Sequence, residues 1–163
     1  MTEGVVLRPI READVEAVRR LQADSFAALA GDIHSPAQIA AHVALIMAPD
    51  YEQELLSNNI LVAEAPDGAL VATAGWCRVP DAPDVARLRK VFVAPGLAGR
   101  GLGRRMVDAA EAAARAAGFQ RFRVRANANA EAFYARLGYR AVERSEMPTS
   151  AGVALPTVIM VKE

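Results

Sequence analysis

The sequence predicts a single α/β domain (of the α+β type) over residues 1–163, with a mixed, mostly antiparallel central sheet flanked by helices. Three observations predict this fold class. The chain has 163 residues, 53% of them hydrophobic, which is enough for one sizeable core. Its apolar periodicities follow the order β-α-α-β-β-β-α-β-α-β-β, without a repeat or linker. The strand–helix–strand unit over residues 88–126 implies a right-handed crossover and therefore one parallel strand pair.

The first half of the chain predicts one strand and two helices. The strand covers residues 5–8, and a helix covers 11–30, where Val15, Val18 and Leu21 begin an apolar stripe that ends before Gly31. The second helix starts at Ser35, which is followed by Pro36 and Gln38 in a capping-box arrangement. Its buried face is expected to hold Ile39, Val43 and either Ile46 or Met47. Residues 48–59 are expected to form a loop or an irregular helix.

The second half begins with a hairpin, whose strands 60–65 and 70–79 flank the turn Pro66-Asp67-Gly68. A connection over residues 80–84 leads to a strand at 88–93. A helix over 102–117 ends at Gly118, and a short helix over 130–137 ends at Gly138. Strands are expected at 122–126, 139–144 and 158–161.

Charge and cysteine content exclude several classes of protein. There are 19 basic and 19 acidic residues, so no overall field selects nucleic acid or an anionic membrane, and we expect neither as a partner. No signal peptide or segment of bilayer-spanning length is visible, which favours a soluble, cytoplasmic location. The single cysteine, Cys77, excludes an internal disulfide and a cysteine-based zinc cluster. It lies in an apolar run and is expected to be a core thiol, and we expect no metal.

The segment Ala94–Met106, "APGLAGRGLGRRM", is the strongest candidate for a binding site. Gly99, Gly101 and Gly103 allow a sharp turn between a strand and a helix N-terminus, whose free amides suit a phosphate. An anion bound there would also explain why arginines stand at the electropositive end of a helix. The segment lacks the Gly-Lys-Ser/Thr of a Walker loop and the spacing of a Rossmann fingerprint. The alternative is a tight turn with solvated arginines.

Residues 88–143 resemble the acetyl-CoA-binding core of the GCN5-related N-acetyltransferase (GNAT) superfamily. The resemblance rests on four motifs in a fixed order. These are Val93-Ala94-Pro95 at the end of a strand, the loop Ala98-Gly99-Arg100-Gly101-Leu102-Gly103, Asn127-x-x-Ala130-x-x-Phe133-Tyr134, and Gly138-Tyr139. The matching core covers about a third of the chain, and the order of elements on both sides agrees with the family.

The resemblance implies a set of site residues. Backbone amides of the loop would bind the pyrophosphate of acetyl-CoA, the implied cosubstrate; these are Ala98, Gly99, Arg100, Gly101, Leu102 and Gly103, followed by Arg104. The strand Val91-Phe92-Val93 would lie beside the pantetheine arm and polarise the thioester carbonyl. Asn127 would hydrogen-bond that arm, with Asn129 left to cap the short helix. Ala98 replaces the usual Arg or Gln, a loss that Arg100 or Arg105 could offset.

Tyr134 matches the family's general acid. A phenol with an ordinary pKa near 10 is protonated at neutral pH and can donate a proton to the departing CoA thiolate; the alternative is half of an aromatic pair in the core. No residue is assigned as the general base: Glu64, His34, His42 and an ordered water are all open.

The resemblance implies an N-acetyltransferase that acts on a primary amine by direct attack in a ternary complex. The acceptor, a small-molecule or peptide amine, is expected between residues 24–50 and 143–156. Family members are often dimers, so a homodimer is a further implication. The alternatives are a non-catalytic module that binds or senses acyl-CoA, and a nucleotide-binding regulator that uses the same loop.

Overall fold

A computed structural model of the chain describes residues 3–31, 33–149 and 151–163, whose strands form one seven-stranded sheet. The strands are β1 (Val6–Pro9), β2 (Asn59–Glu64), β3 (Leu70–Val79), β4 (Ala82–Val93), β5 (Arg121–Asn127), β6 (Arg140–Pro148) and β7 (Ala154–Lys162). The helices are α1 (Val15–Leu29), α2 (Pro36–Met47), α3 (Tyr51–Ser57), α4 (Leu102–Ala116) and α5 (Glu131–Arg136). Single 3₁₀ turns cover Glu12–Asp14, Pro95–Leu97 and Ala128–Ala130.

The order of strands across the sheet is β1-β2-β3-β4-β5-β7-β6. Neighbouring strands are antiparallel except for β4 and β5, which are parallel and are joined through α4. A parallel pair needs such a crossover connection, because its two strands start at the same edge of the sheet. The predicted mixed sheet with one parallel pair is confirmed.

The two faces of the sheet are covered by different helices. On one side, here called the α4 face, α4 packs against the strands through apolar side chains that include Ala74, Ala86, Leu88, Phe122, Met106 and Ala110. On the other side, the α1 face, a second cluster joins the first three helices to β2 and β4 through residues that include Val18, Ile46, Leu55, Val62 and Phe92. Side chains alternate between the faces along each strand, so the sequence of a strand divides its residues between two environments.

Several helix ends have the stop and start signals that the sequence predicts. Ser35 and Gln38 form a reciprocal capping box, with Gln38 N donating to Ser35 Oγ at 3.1 Å and Ser35 N donating to Gln38 Oε1 at 2.9 Å. Gly118 and Gly138 follow α4 and α5 with φ of +103° and +96°. This left-handed conformation is accessible to glycine without steric cost, and it ends each helix.

Some predicted boundaries are wrong, and one burial that the sequence left open is decided. Residues 48–59 contain the regular helix α3, and β4 begins at Ala82, so the connection after β3 is a turn at Pro80 and Asp81. Pro83 is tolerated within β4 because no residue of β3 stands opposite it, so its missing N–H interrupts no ladder bond. At the end of α2, Ile46 is the buried residue and Met47 is 51% exposed. Across the described ranges, every helix is too short or too polar to span a bilayer.

Candidate active site

Strands β4 and β5 run side by side for four residues and then separate. The parallel ladder joins residues 85–88 to residues 121–124 and ends at the pair Leu88 and Val124. Beyond that pair, the described part of β4 pairs with β3 up to Val93, and β5 pairs with β7 up to Asn127. Alternate backbone groups of a strand point to opposite sides. Some amides and carbonyls of residues 89–93 therefore face the gap between the strands.

A β-bulge on β4 lies where this gap opens. Lys90 and Val91 together face Ala74 of β3, so β4 has one residue more than its partner. Lys90 has a φ of 58°, the only left-handed conformation of a non-glycine residue in the described chain. Its carbonyl oxygen accepts a hydrogen bond of 2.6 Å from Thr73 Oγ1. Bulges beside active sites change the direction of a strand's backbone groups, and this one does so at the mouth of the gap.

The loop after β4 presents a row of backbone amides at the same end of the sheet. Gly99 and Gly101 have φ of +78° and +85°. Within the described residues, the amides of 99–104 donate to no backbone carbonyl; the next amide, Arg105 N, donates to Gly101 O at 3.1 Å. The loop is exposed to solvent. Unpaired amides at an accessible helix N-terminus fit a phosphate group. The expected role of the Ala98 amide is wrong, because it already donates to Pro95 O at 3.4 Å.

Gly103 differs from the other two loop glycines. It lies in the first turn of α4 without a left-handed φ, and a Cβ there would lie 3.0 Å from the Phe133 ring and 3.5 Å from Val93. The absence of a side chain thus lets α4 approach α5 and the end of β4. The expected role of Gly103 as a turn-forming glycine is wrong, since its conformation is helical and its small size serves packing.

The arginines of the loop have different surroundings. Arg100 is exposed, and Arg104 lies on the helix surface with its Nε 4.0 Å from Asp108 Oδ2. Arg105 donates to the backbone carbonyl of Val5 at 3.0 Å, which ties α4 to the chain just before β1. This bond uses one of the five N–H donors of its guanidinium, so the expected offset of Ala98 by Arg105 stays a prediction. The same holds for Arg100, whose side chain is exposed beside the loop.

Asn127 and Asn129 lie where β5 ends. Asn127 is half-buried opposite Thr157 of β7, and it occupies the N-cap position of a 3₁₀ turn without a capping hydrogen bond from its side chain. Asn129 does not cap α5; its Nδ2 donates to Leu29 O at 3.3 Å. The expected cap at Asn129 is wrong. The Asn127 side chain, which makes no cap, is left for another partner at the edge of the gap.

Tyr134 lies in α5 among aromatic neighbours. It is 5% exposed, and its ring makes edge contacts with Phe133 and Tyr139 at centroid distances of 5.0 and 5.6 Å. Burial alone raises the pKa of its hydroxyl above the ordinary value of 10, so the group is protonated throughout the neutral range. This position fits both interpretations of Tyr134, as a general acid and as half of an aromatic pair, because the ring packs in the core and the hydroxyl still carries a proton.

A polar network that the sequence did not predict supports the bulge from the α1 face. The Tyr51 hydroxyl donates to Gln22 Oε1, and Gln22 Nε2 donates to Thr73 Oγ1 at 3.0 Å. Thr73 in turn donates to the Lys90 carbonyl. All three side chains are buried. A sequence signal was available: Gln22 lies four residues after Val18 and four before Phe26, on the buried stripe of α1.

The side chain of Lys90 is part of the same cluster. Its Nζ lies 4.3 Å from the centre of the Tyr51 ring and 3.7 Å from Glu54 Oε2. Burial, followed by the charge of Arg89, lowers the pKa of Lys90 to about 8. Arg89 itself donates to Glu54 Oε1 at 3.2 Å. The bulge thus has a half-buried ammonium group, which Glu54 pairs with and the nearby Arg89 repels.

The residues left open as general bases have other partners. Glu64 Oε1 accepts from Arg8 Nε at 3.3 Å. His42 stacks on Phe26 at 3.9 Å, and His34 meets the same ring edge-on at 5.2 Å. Burial is the main cause that lowers both histidine pKa values, that of His42 to about 4. Both imidazoles are therefore neutral at pH 7 and weak as bases.

The two segments expected to hold the acceptor lie close together. Gln38 Nε2 at the start of α2 donates to Ala154 O at the start of β7, at 3.0 Å. This bond connects residues 24–50 with residues 143–156. It places the start of α2, a helix of the α1 face, beside the start of β7. The described parts of the two segments thus meet at this contact between α2 and β7.

Comparison with known proteins identifies the family. The model of the acetyltransferase (GNAT) family matches residues 17–139. N-alpha-acetyltransferase 80 from Mus musculus is 41% identical over 86 residues, which are 53% of this chain and 26% of that relative. The match thus spans about a quarter of the relative's length.

Solved structures share the fold along the whole chain. A Rhodopseudomonas palustris protein described as a GCN5-related N-acetyltransferase (aminotransferase, class II) has a TM-score of 0.87 and 26% identity, with 100% of this chain and 98% of that chain covered. PaiA N-acetyltransferase from Thermoplasma acidophilum, solved in complex with coenzyme A, has a TM-score of 0.76 and 17% identity, with 98% of each chain covered. These likenesses confirm the predicted fold.

Proposed function

This chain belongs to the acetyltransferase (GNAT) family, and we propose that it transfers the acetyl group of acetyl-CoA to a primary amine. The family membership confirms the predicted class, an acetyl-CoA-dependent acetyltransferase. The transfer is a direct attack within a ternary complex. The observation that carries the proposal is the gap between β4 and β5, which begins at a bulge and ends at a loop of unpaired amides. This geometry suits a long, thin ligand with a phosphate at one end.

The residues around the gap fit acetyl-CoA in that orientation. The pyrophosphate accepts hydrogen bonds from the amides of residues 99–103, with Arg104 and Arg100 adding positive charge. The Ala98 amide is not among them, because it donates to Pro95 O. The pantetheine arm follows the backbone of Val91, Phe92 and Val93, and the Asn127 side chain reaches it from the β5 side. Most of these contacts to acetyl-CoA come from the backbone, so the loop can bind it with alanine at position 98 in place of the usual Arg or Gln.

The chemistry is acyl transfer. The neutral amine forms a bond to the thioester carbon, the carbon–sulfur bond breaks, and the sulfur leaves as a thiolate that takes up a proton. Amides of the bulged strand polarise the carbonyl oxygen, where negative charge develops. Tyr134 donates the proton to the sulfur, since its raised pKa keeps the hydroxyl protonated. The acceptor enters from the α1 face, between α2 and the start of β7.

An acetylation screen tests this function. Purified protein is incubated with acetyl-CoA and a panel of small amines, amino acids and peptides with free N-termini, and released CoA thiol is measured. The peptide arm is motivated by the name of the mouse relative, an N-alpha-acetyltransferase. We expect turnover with at least one amine. Tight binding of acetyl-CoA without turnover of any amine would instead support the non-catalytic acyl-CoA-binding module.

Two glycine variants test the role of the loop. Gly101→Ala places a side chain at φ +85° with nothing within 4 Å, so it clashes with no protein atom but opposes the loop conformation. The left-handed region costs a non-glycine residue about 1–2 kcal/mol, so the KM for acetyl-CoA should rise about 5- to 30-fold. Gly68→Ala is the matched control, with φ +89° in the open β2–β3 turn. An equal rise in KM for both variants would contradict the proposed phosphate site.

A further inference from the structure

A second concave site lies on the α1 face. It is a cavity of about 580 Å³, within the usual size range of ligand sites, formed by the strands and the β3–β4 turn. Cys77, expected in the core, is half-buried in its wall. The α4-face residues Leu88 and Phe122 alternate along their strands with cavity residues, which confirms that the cavity lies on the α1 face.

Four arginines line this cavity. Arg78 lies over the Phe119 ring at 4.9 Å, and the other three form a group on β4 and β5. Arg87 and Arg123 are register partners on the parallel strands β4 and β5, and Arg125 follows two residues later on the same face. Within the described residues, none of the three has a carboxylate within 4.0 Å; by contrast Arg121, at the start of β5, pairs with both Asp84 and Glu163. Asp81 and Glu143 also line the cavity and form no ion pair with the arginines.

Such an arrangement stabilises a bound anion. Like charges directly opposite each other on neighbouring strands are destabilising. Burial, followed by the charges of Arg89, Arg125 and Arg123, lowers the pKa of Arg87, which shows that the cation is poorly compensated. A planar guanidinium is well suited to carboxylate and phosphate oxygens, which it binds with paired hydrogen bonds. An anionic group in the cavity would relieve the repulsion and complete these bonds.

The cavity adjoins the proposed reaction site. Val124 is the last residue of β5 that pairs with β4, so Arg125 stands where the gap opens. The amine acceptor approaches from the α1 face, on which the arginines also lie. We propose that the Arg87–Arg123–Arg125 cavity binds anionic groups of the acceptor, so that the enzyme prefers amines that carry carboxylates or phosphates. This inference rests on the proposed acetyltransferase function and adds the chemical class of the acceptor.

Spacing favours an acceptor with more than one anionic group. Side chains two residues apart on a strand are separated by about 6.6–6.8 Å, the spacing expected between Arg123 and Arg125. Acidic side chains two residues apart in an extended peptide have the same separation. A phosphorylated small amine presents its charge over a shorter distance and would contact fewer guanidiniums. The two sources of anion therefore differ in which arginines they use.

Acceptor kinetics test the inference. Wild type is compared with the double variant Arg123→Gln/Arg125→Gln on three acceptors: a peptide with acidic second and fourth residues, its neutral amide counterpart, and O-phosphoethanolamine. We expect wild type to prefer one of the two anionic acceptors over the neutral peptide. The double variant should raise the KM for the preferred acceptor about tenfold or more, because charge-assisted hydrogen bonds are lost. The KM for acetyl-CoA should not change.

A control variant shows whether the loss of any positive charge changes the acceptor KM. Arg136→Gln neutralises an exposed arginine on α5, outside the cavity, and should leave all acceptor KM values unchanged. Equal KM values for the charged and neutral acceptors in wild type would overturn the inference. A parallel rise in the KM for acetyl-CoA would also overturn it, since the cavity would then serve the phosphates of the cosubstrate.

Direct binding separates this inference from the proposed function. If no amine is acetylated, titration of the acidic peptide and of phosphoethanolamine into wild type and the double variant still decides the matter. Binding of either that weakens in the double variant and at high ionic strength supports an anion site. Indistinguishable binding overturns it. So does a wild-type dimer that dissociates on Arg123→Gln/Arg125→Gln and binds neither probe, because the cavity would then be an interface between two copies.

Discussion

The two faces of the central sheet are built from different chemistry. The α4 face consists of small and apolar side chains packed against one helix, with one buried carboxylate, Glu111, that accepts from Tyr139 and Lys162. The α1 face has a buried polar network beneath three helices and an arginine-lined cavity beside them. The same strands supply both faces, because successive side chains point in opposite directions.

The difference suggests a division of labour within one sheet. The α4 face brings α4 and its loop to the end of β4, and its close packing fixes where the amides stand. The α1 face holds the bulge in place through Thr73 and leaves polar groups beside the gap. Residues that break apolar patterning, such as Gln22 and Arg87, belong to the second face. Variants on the two faces should therefore differ in how much they change the free energy of unfolding relative to how much they change kcat.

The largest expected effect is a loss of kcat from a change on the α4 face. Tyr134 is the one residue of that face with a proposed role in the reaction. Tyr134→Phe removes the proton donor and should lower kcat about 10²- to 10⁴-fold, the usual contribution of a general acid. Stability should change little, because burial alone shifts the pKa of this hydroxyl and no hydrogen bond contributes. Measurement of kcat with any accepted amine, together with a urea unfolding curve, checks both parts.

Tyr139→Phe is the control on the neighbouring ring. The Tyr139 hydroxyl donates to the buried Glu111 at 2.7 Å, so its loss should lower the free energy of unfolding by about 1.5–3 kcal/mol. Its kcat should stay near that of wild type. If Tyr134→Phe lowers stability and leaves kcat unchanged, Tyr134 is a core residue and the α4 face contributes no reacting group.

The next effect is a pH dependence of stability from the α1 face. His42 titrates near 4 when folded and near its ordinary value of 6.5 when unfolded, so acid favours the unfolded state as pH falls from 6.5 to 4. At about 1.36 kcal/mol per pKa unit, the full loss approaches about 3 kcal/mol below pH 4. Urea unfolding at intervals between pH 7 and 4 measures it.

His42→Leu should flatten that curve, while His34→Leu should flatten it less, because the pKa of His34 falls by a smaller amount. An unchanged pH profile in His42→Leu would show that the imidazole titrates near its ordinary pKa in the folded protein, and the α1 face would then be less dry than its packing indicates.

The smallest effect concerns the support of the bulge. Thr73→Val removes the hydroxyl that accepts from Gln22 and donates to the Lys90 carbonyl, which leaves two buried groups unpaired and should cost about 2 kcal/mol. Thr157→Val is the matched change at a buried threonine with one longer bond, 3.3 Å to Ser145 O, and should cost about 1 kcal/mol or less. Similar losses measured in urea would show that the network does not support the bulge.

The local signals of the sequence were sufficient for most of the fold and for the loop. Ser35 with Gln38, the Pro66–Gly68 turn and the stops at Gly118 and Gly138 are short-range patterns with one physical solution each. The strand–helix–strand order over β4, α4 and β5 implied the parallel pair, because such a crossover has a single favoured topology. The exposed amides of residues 99–104 likewise follow from glycine spacing before a helix.

Tertiary structure decided which residues meet. The sequence does not show that Gly103 makes room for Phe133, that Arg105 binds Val5, or that Asn129 turns to Leu29, because these contacts join residues far apart in the chain. The bulge at Lys90 depends on the register between β3 and β4, and the arginine cavity depends on the register between β4 and β5. Local propensity fixes elements and their ends, while register and packing fix the partners of each side chain.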